Sequence, residues 1–118
     1  MIYYVDARGQ SPVLDGLRAL TRQEQQKIFA YVSWLEERGE ELRRPIAGYV
    51  GEKLYELRPK AHRVLYFFML KDCAVLVHVF RKTTDRLPDA EKQTALNRMH
   101  NFLTRYRQGA VSIGGESR

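Results

Sequence analysis

The stretch KLYELRPKAHRVLYFFMLKDCAVLVHVFRK, residues 53–82, decides the fold of this chain. It contains three runs rich in β-branched, aromatic and other apolar residues, separated by turn-forming segments at 59–61 and 71–72. These tight connections predict an antiparallel meander of three strands. The middle run is apolar at every position from Val64 to Leu70, which predicts a central strand covered on both faces.

Positive charge is concentrated at the ends and turns of this predicted meander. Between residues 53 and 71 there is one acid, Glu56, and there are five basic residues: Lys53, Arg58, Lys60, Arg63 and Lys71. The whole chain has a formal net charge of +6. A basic sheet of this kind favours an anionic partner, such as nucleic acid, a ribosome or an acidic protein.

The segments before the meander predict one strand and two helices. Residues 2–5 are aromatic and β-branched, as strands are. Ser11 can cap a short helix that has a proline at its first position and runs to about residue 20. Thr21 and Glu24 form a capping-box pattern, which starts an amphipathic helix that should end near Gly39.

The remaining segments complete an α+β fold. Residues 40–51 contain Pro45 and two glycines, and they are expected to form a loop. A last helix begins near Pro88 and carries an apolar stripe as far as Tyr106. The predicted order is strand, helix, helix, three antiparallel strands and helix, with the helices packed on one face of a small twisted sheet.

Length and composition predict a single domain over residues 1–109, followed by a disordered tail at 110–118. The single cysteine, Cys73, cannot form a disulfide framework and favours a cytoplasmic location. No apolar run reaches the roughly 18–20 residues of a membrane span, and the N-terminus lacks a signal-peptide pattern. We therefore expect no membrane association.

Motifs for metal or cofactor binding are missing from the sequence. Cys73 and the three histidines lack metal-ligand spacing, and no glycine-rich phosphate loop is present, so we expect neither metal nor cofactor. What remains is a group of Arg, Lys, Tyr and His on a sheet. Such a group can cleave RNA without a metal, because the RNA 2′-hydroxyl is the nucleophile and cationic side chains stabilise the negative charge on phosphorus.

Three segments, taken in order, resemble a known toxin family. They are YYVDARGQSPVLDGLRAL at 3–20, KLYELRPKAHRVLYFF at 53–68 and AVLVHVFRKTTDRLPDAEKQTAL at 74–96. Together they are similar to the RelE/ParE superfamily of bacterial toxins, and within it to the HigB-like, phage-derived (Gp49-like) group. The resemblance covers about residues 2–105.

The resemblance implies the toxin of a type II toxin–antitoxin pair. Many such toxins are ribosome-dependent, metal-independent endoribonucleases that cut mRNA and inhibit translation. A cognate antitoxin, often a helix-turn-helix protein of the HigA-like kind, binds them in a hetero-oligomer. The ParE branch shares the fold but poisons DNA gyrase, which is an alternative for this chain. A further alternative is an inactive, phage-derived interaction module.

The resemblance also assigns roles to individual basic residues. Arg63 matches the family arginine that contacts the scissile phosphate, and Lys82 aligns with a catalytic arginine at the end of the last strand. Arg58 matches a recurrent family arginine, but pairing with Glu56 is an equally good reading of it. Strand alternation places Arg81 and Lys82 on opposite faces of the sheet, and we expect Lys82 to point into the cleft that would bind the scissile phosphate.

The remaining cations are expected to dock the toxin on ribosomal RNA: Lys53, Lys60, Lys71 and Arg81.

The chain lacks the family's usual groups for proton transfer. Leu54 and Glu56 occupy the positions of two family lysines, and residues 87–88 lie where the family has a late tyrosine. Glu56 could act as a base, although an ion-paired acid is the simpler role. Tyr66 and His78 are substitutes by residue type. Alternation predicts a half-buried Tyr66 and places His78 on the same face as Leu76, as a core histidine.

Overall fold

The computed structural model describes residues 1–70 and 73–109. Its elements, in chain order, are β1 Ile2–Tyr3, α1 Pro12–Arg18, α2 Arg22–Arg38, a 3₁₀ turn Gly39–Glu41, β2 Ala47–Gly51, β3 Leu54–Leu57, β4 His62–Met69, β5 Cys73–Arg81 and α3 Asp89–Arg107. The predicted α+β class is confirmed, with β2 as an additional strand. The predicted turn at 71–72 and the predicted tail at 110–118 lie outside the described residues.

The five strands form one mixed sheet in the order β1-β5-β4-β3-β2. Strands β2 to β5 pair antiparallel in chain order, which confirms the predicted meander. β1 pairs parallel with β5, with Ile2 opposite Val75. This parallel pair makes the sheet mixed, and β2 is left as an edge strand.

The prediction of a loop across residues 40–51 is wrong for its second half. Ala47 pairs with Leu57, and Tyr49 pairs with Tyr55, so this segment is the edge strand β2. Gly48 weakens the local strand signal, but pairing with β3 and burial of Ala47 override it.

The helix starts follow the predicted capping chemistry. Thr21 Oγ1 accepts a hydrogen bond from the Glu24 amide at 3.2 Å, and the Glu24 carboxylate accepts one from the Thr21 amide at 2.9 Å. Ser11 Oγ caps α1, where Pro12 holds the first position. α2 ends at Arg38, and its C-cap Gly39 has φ +53° and ψ −129°, a positive-φ conformation outside the αL region that glycine adopts readily because it has no Cβ.

Helices cover both faces of the sheet. α1 and α2 pack on one face, where Ile28 and Leu35 belong to the same core as Tyr66. α3 packs on the opposite face, where Phe102 contacts Phe67, their ring centroids being 5.8 Å apart. The prediction that the helices share one face is therefore correct for α1 and α2 but wrong for α3. The physical reason is β4, which is apolar on both sides and needs cover on both.

A bulge in β5 changes which side chains face α3. Leu65 pairs with His78 and Tyr66 pairs with Leu76, so Val77 is an extra residue on β5. Leu76 packs with the core under α1 and α2, whereas His78 contacts α3. The prediction that His78 shares a face with Leu76 is wrong, because this bulge reverses the alternation of side chains along β5. Beyond the bulge, Phe80 packs against the core on the α3 face and pairs with Arg63, and this register contributes to the site described below.

Within residues 1–70 and 73–109, no helix has the length and apolar character needed to cross a membrane.

Candidate functional site

A cleft lies on the α3 face of the sheet, beyond the N-terminus of α3. It consists of two adjoining cavities that share Glu56, Asp85, Arg86 and Leu87. The larger cavity has a volume of about 350 Å³, and the smaller one, which Arg63 and Lys82 line, has a volume of about 10 Å³. We call the two together the basic cleft, and their charged lining residues are Arg44, Glu56, Arg58, Arg63, Lys82, Asp85, Arg86, Asp89 and Lys92.

Three adjacent strands bring the predicted residues into this cleft. Glu56 on β3 is opposite Leu65 on β4, and Arg63 on β4 is opposite Phe80 on β5. The Lys82 amide donates to the Ala61 carbonyl at 2.7 Å, which continues the β4–β5 pairing one residue past the end of β5. Side chains far apart in sequence therefore meet at one end of the sheet. α3 begins only at Asp89, so it leaves this end of the face uncovered.

Arg63 is the most buried cation of the basic cleft, with 8% of the residue exposed. Its Nη1 donates to the carbonyl oxygens of Lys60 at 2.9 Å and His62 at 2.8 Å. Burial lowers the pKa of the Arg63 guanidinium, which nevertheless stays protonated, as arginine does in proteins. The main chain thus holds the charged group by one edge at the base of the cleft.

Ion pairs inside the cleft are loose or exposed. Arg58 Nε is 3.9 Å from Glu56 Oε1, which is the pairing considered from the sequence. Lys82 Nζ donates to Asp85 Oδ1 at 2.9 Å, and this bond lowers the pKa of the fully exposed Asp85 carboxyl. Exposed pairs of this kind contribute little stability, so a phosphate can replace Asp85 as the partner of Lys82.

The basic cleft has an excess of positive charge. Six basic side chains and three carboxylates line its two cavities, and one of the six, Lys92, also pairs with Glu52 at 3.4 Å, which leaves two positive charges unmatched. A cleft with one dominant sign of charge concentrates counter-ions of the opposite sign. The site is therefore suited to binding phosphate groups.

Arg81 and Lys82 lie on opposite faces, as alternation predicts. The Arg81 guanidinium is directed to α2, where Nη1 is 3.5 Å from Glu24 Oε2, while Lys82 lines the cleft. The other cations expected to dock do not form one patch. Lys60 lies in the turn beside Arg63, whereas Lys53 lies at the opposite end of β3. At about 3.3 Å per residue, the length of β3 separates Lys53 from this turn by roughly 15 Å. Lys71 lies outside the described residues.

Tyr66 lies in the core and not in the cleft. It is 1% exposed, on the α1/α2 face, and burial raises the pKa of its phenol. The prediction of a half-buried Tyr66 is wrong, because α1 and α2 cover the middle of β4 completely. A phenol held in the core cannot exchange a proton with RNA bound on the opposite face.

His78 connects β5 to α3 beside the cleft. Its Nε2 is 2.7 Å from Glu91 Oε1, and its Nδ1 is 3.1 Å from Arg98 Nη1. Burial lowers the pKa of His78, although the bond to Glu91 opposes this shift. The ring also stacks on Phe80, with the centroids 5.3 Å apart. His78 is thus a satisfied structural histidine of the α3 face and does not line the cleft.

Reasoning from the sequence missed several cleft residues, all charged: Arg44, Asp85, Arg86, Asp89 and Lys92. Arg44 precedes β2, in the segment that the sequence predicts as a loop, and no sequence signal places it near β3. Asp85 and Arg86 lie in the family-like segment TTDRLP, whose position directly after the last strand was the available signal.

Among the described residues, no three His, Cys, Asp or Glu side chains are grouped closely enough to hold a metal ion.

Comparison with known proteins gives the family. Residues 15–100 match the family described as phage derived protein Gp49-like (DUF891). Because this match covers more than half of the 118 residues, the chain belongs to that family of RelE/ParE-like toxins. Membership makes it a protein of the toxin–antitoxin kind and implies an antitoxin as a partner. No curated protein matches the chain.

Proposed function

We propose that this toxin is a metal-independent endoribonuclease that cuts mRNA on the ribosome and so inhibits translation. The observation that carries the proposal is the convergence of Arg58, Arg63 and Lys82 with Glu56 in one cleft. The sequence alone indicates a basic sheet, whereas the fold brings these four side chains together at the ends of three neighbouring strands.

In this proposal Arg63 and Lys82 hold the scissile phosphate. The 2′-hydroxyl of the preceding nucleotide attacks phosphorus, and both cations stabilise the additional negative charge of the transition state. Arg63 is suited to this role because its bonds to the Lys60 and His62 carbonyls fix it before RNA arrives. A donor that is already oriented needs no reorganisation during the reaction.

Proton transfer is assigned to Glu56 and Lys82. Glu56 accepts the proton of the 2′-hydroxyl, and Arg58 orients its carboxylate. The bond from phosphorus to the 5′-oxygen breaks, and that oxygen takes a proton from the Lys82 ammonium. The products are a 2′,3′-cyclic phosphate and a 5′-hydroxyl end, so the atoms balance without water or metal in this step.

The proposed setting is the cytoplasm, with mRNA and the ribosome as targets. Lys60 lies in the turn whose carbonyl accepts from Arg63, lines a separate cavity with Glu24 and Lys27 of α2, and is proposed to contact ribosomal RNA. A helix-turn-helix antitoxin of the HigA-like kind is the proposed neutralising partner.

Induced expression of the toxin without its antitoxin tests this proposal. Growth should stop, and transcripts should be cut only while they are being translated. A variant with Glu56→Gln and Lys82→Gln should lose both effects. The control is Arg18→Ala on α1, which removes a cation that is 76% exposed and remote from the cleft. Arrest and cleavage that persist in the double variant would show that the cleft is not the catalytic site.

A gyrase inhibitor is the second candidate. Two observations favour it: Leu54, at a family lysine position, is completely buried, and the described lining of the basic cleft contains no histidine or tyrosine. A supercoiling assay with purified gyrase separates the two functions. Inhibition of supercoiling by a toxin that leaves translated mRNA intact would establish the gyrase alternative.

A further inference from the structure

Three aromatic side chains form an open surface on the α1/α2 face, at the β2 edge of the sheet. Tyr49 on β2, Tyr55 on β3 and Phe68 on β4 lie side by side across neighbouring strands. The ring centroids of Tyr49 and Tyr55 are 5.0 Å apart, and those of Tyr55 and Phe68 are 5.2 Å apart. We call this surface the aromatic groove.

The aromatic groove is open because the helices of this face bury the paired residues Ala47 and Leu57 at one end of β2 and β3 but leave Tyr49, further along β2, exposed. Tyr49 is 56% exposed, and Tyr55 and Phe68 are half-buried. Glu40, Leu42, Arg43 and Arg44 form the opposite wall of a cavity of about 570 Å³ that Tyr49 and Tyr55 line. An adjoining cavity of about 320 Å³ contains Phe68 and Lys53 beside the same two rings. The Lys53 amide donates to Tyr49 Oη at 3.1 Å, which fixes the most exposed ring.

Charges around the aromatic groove are mostly positive. Arg43, Arg44 and Lys53 are exposed on its rim, and Glu40 supplies the one carboxylate among the described residues that line it. Flat rings flanked by cations are the arrangement by which proteins bind single-stranded nucleic acid, with bases stacked on the rings and phosphates on the cations. An apolar protein segment would leave these cations without partners.

Arg44 connects the aromatic groove to the basic cleft. Its side chain lines both cavities, although they open on opposite faces of the sheet. It crosses the edge strand over Gly48, where a Cβ atom would come within 3.2 Å of Arg44 Nε. Gly48 thus leaves room for the guanidinium at the edge of β2.

We propose that the aromatic groove binds unpaired bases of single-stranded RNA, and that Arg44 guides the same strand around the β2 edge into the basic cleft. This inference rests on the proposed function in taking RNA as the substrate. It adds a second contact region that selects unpaired RNA beside the cleavage point. Base stacking of this kind contributes about 5- to 100-fold in affinity per base.

Fluorescence anisotropy with a short labelled oligouridylate tests the inference directly. Tyr49→Leu keeps an apolar side chain but removes the ring, and it should weaken binding by about 5- to 100-fold. Tyr49→Phe loses the bond from the Lys53 amide but keeps the ring, so it should bind much more tightly than Tyr49→Leu. The control is Trp34→Leu on α2, because Trp34 is 39% exposed and does not line the aromatic groove.

Equal binding by Tyr49→Leu and Trp34→Leu would overturn the inference. So would Tyr49→Leu losing affinity for the antitoxin while keeping affinity for RNA, since the groove would then be a protein interface. The same titration with the variant Arg63→Ala plus Lys82→Gln separates the two proposals. The variant should keep ring-dependent binding without cutting. If the wild-type toxin binds RNA through the ring but never cuts it, the proposed enzyme is wrong and the groove stands. If the wild-type toxin cuts RNA and its binding does not depend on the ring, the groove is wrong and the enzyme stands.

Discussion

Replacing Arg63 with alanine should impair both cleavage and stability, because the structure gives its guanidinium two tasks. One task is to hold the scissile phosphate. The other is to donate to the carbonyls of Lys60 and His62, at 2.9 and 2.8 Å, inside the turn before β4. The two effects have different magnitudes and can be measured separately.

The catalytic loss follows from the removal of an oriented donor. Deleting one such donor typically costs about 10²- to 10³-fold in rate. The stability loss follows from the two carbonyls, which lose a charged donor in a turn where Arg63 is 8% exposed. Both bonds come from one nitrogen, Nη1, so we count them together as one bond to a charged donor, which contributes about 1.5–3 kcal/mol. At about 4 °C per kcal/mol, Tm should fall by roughly 6–12 °C.

The assay is the initial rate of cleavage of a defined mRNA on purified ribosomes, with thermal unfolding measured on the same preparations. Arg63→Lys keeps the charge but not the planar fork, so its rate should lie between wild type and Arg63→Ala. Arg18→Ala removes one positive charge, as Arg63→Ala does, but at an exposed site. It should alter neither the cleavage rate nor the stability. A folded Arg63→Ala toxin that cuts at the wild-type rate would refute the role given to Arg63.

Three other predictions follow from the packing and the buried groups. Tyr66→Phe should cleave mRNA at the wild-type rate, because the phenol lies in the core; a large loss in the ribosome assay would contradict this placement. Phe102→Ala should lower the free energy of unfolding by about 3–5 kcal/mol, whereas Phe29→Ala, 41% exposed, should change it by about 0.5 kcal/mol or less in urea titrations. The pKa of His78 is lower in the folded state than in the unfolded chain, so the unfolded state takes up protons first on acidification. Stability should therefore be complete above about pH 6.5 and fall as the pH drops below it, and His78→Gln should flatten that slope; an unchanged slope would show that His78 is not responsible.

Local chemistry made much of the fold predictable from the sequence. The capping box at Thr21 and Glu24 marked the start of α2 to the residue, because the signal lies within one helical turn. The three strands of the meander followed from apolar runs between tight turns. The apolar character of β4 on both sides correctly predicted double cover, although the element covering its second face was not assigned.

Long-range pairing explains what the sequence did not show. β2 was missed because Gly48 and Gly51 carry no strand signal, and only pairing with β3 makes that segment a strand. The predicted position of His78 is wrong because Val77, the extra residue of the bulge, reverses the alternation of side chains along β5. No residue type in the sequence indicates such a bulge. Arg44 depends on β2 and was missed with it.

The most direct test of the central claim is to map new 5′-hydroxyl ends on cellular transcripts after the toxin is induced, with translation active and with initiation blocked. We predict new 5′-hydroxyl ends inside translated regions, no new ends when initiation is blocked, and no new ends with Lys82→Gln. Growth arrest without new 5′-hydroxyl ends, or ends that persist in Lys82→Gln, would contradict the claim that this cleft cuts mRNA on the ribosome.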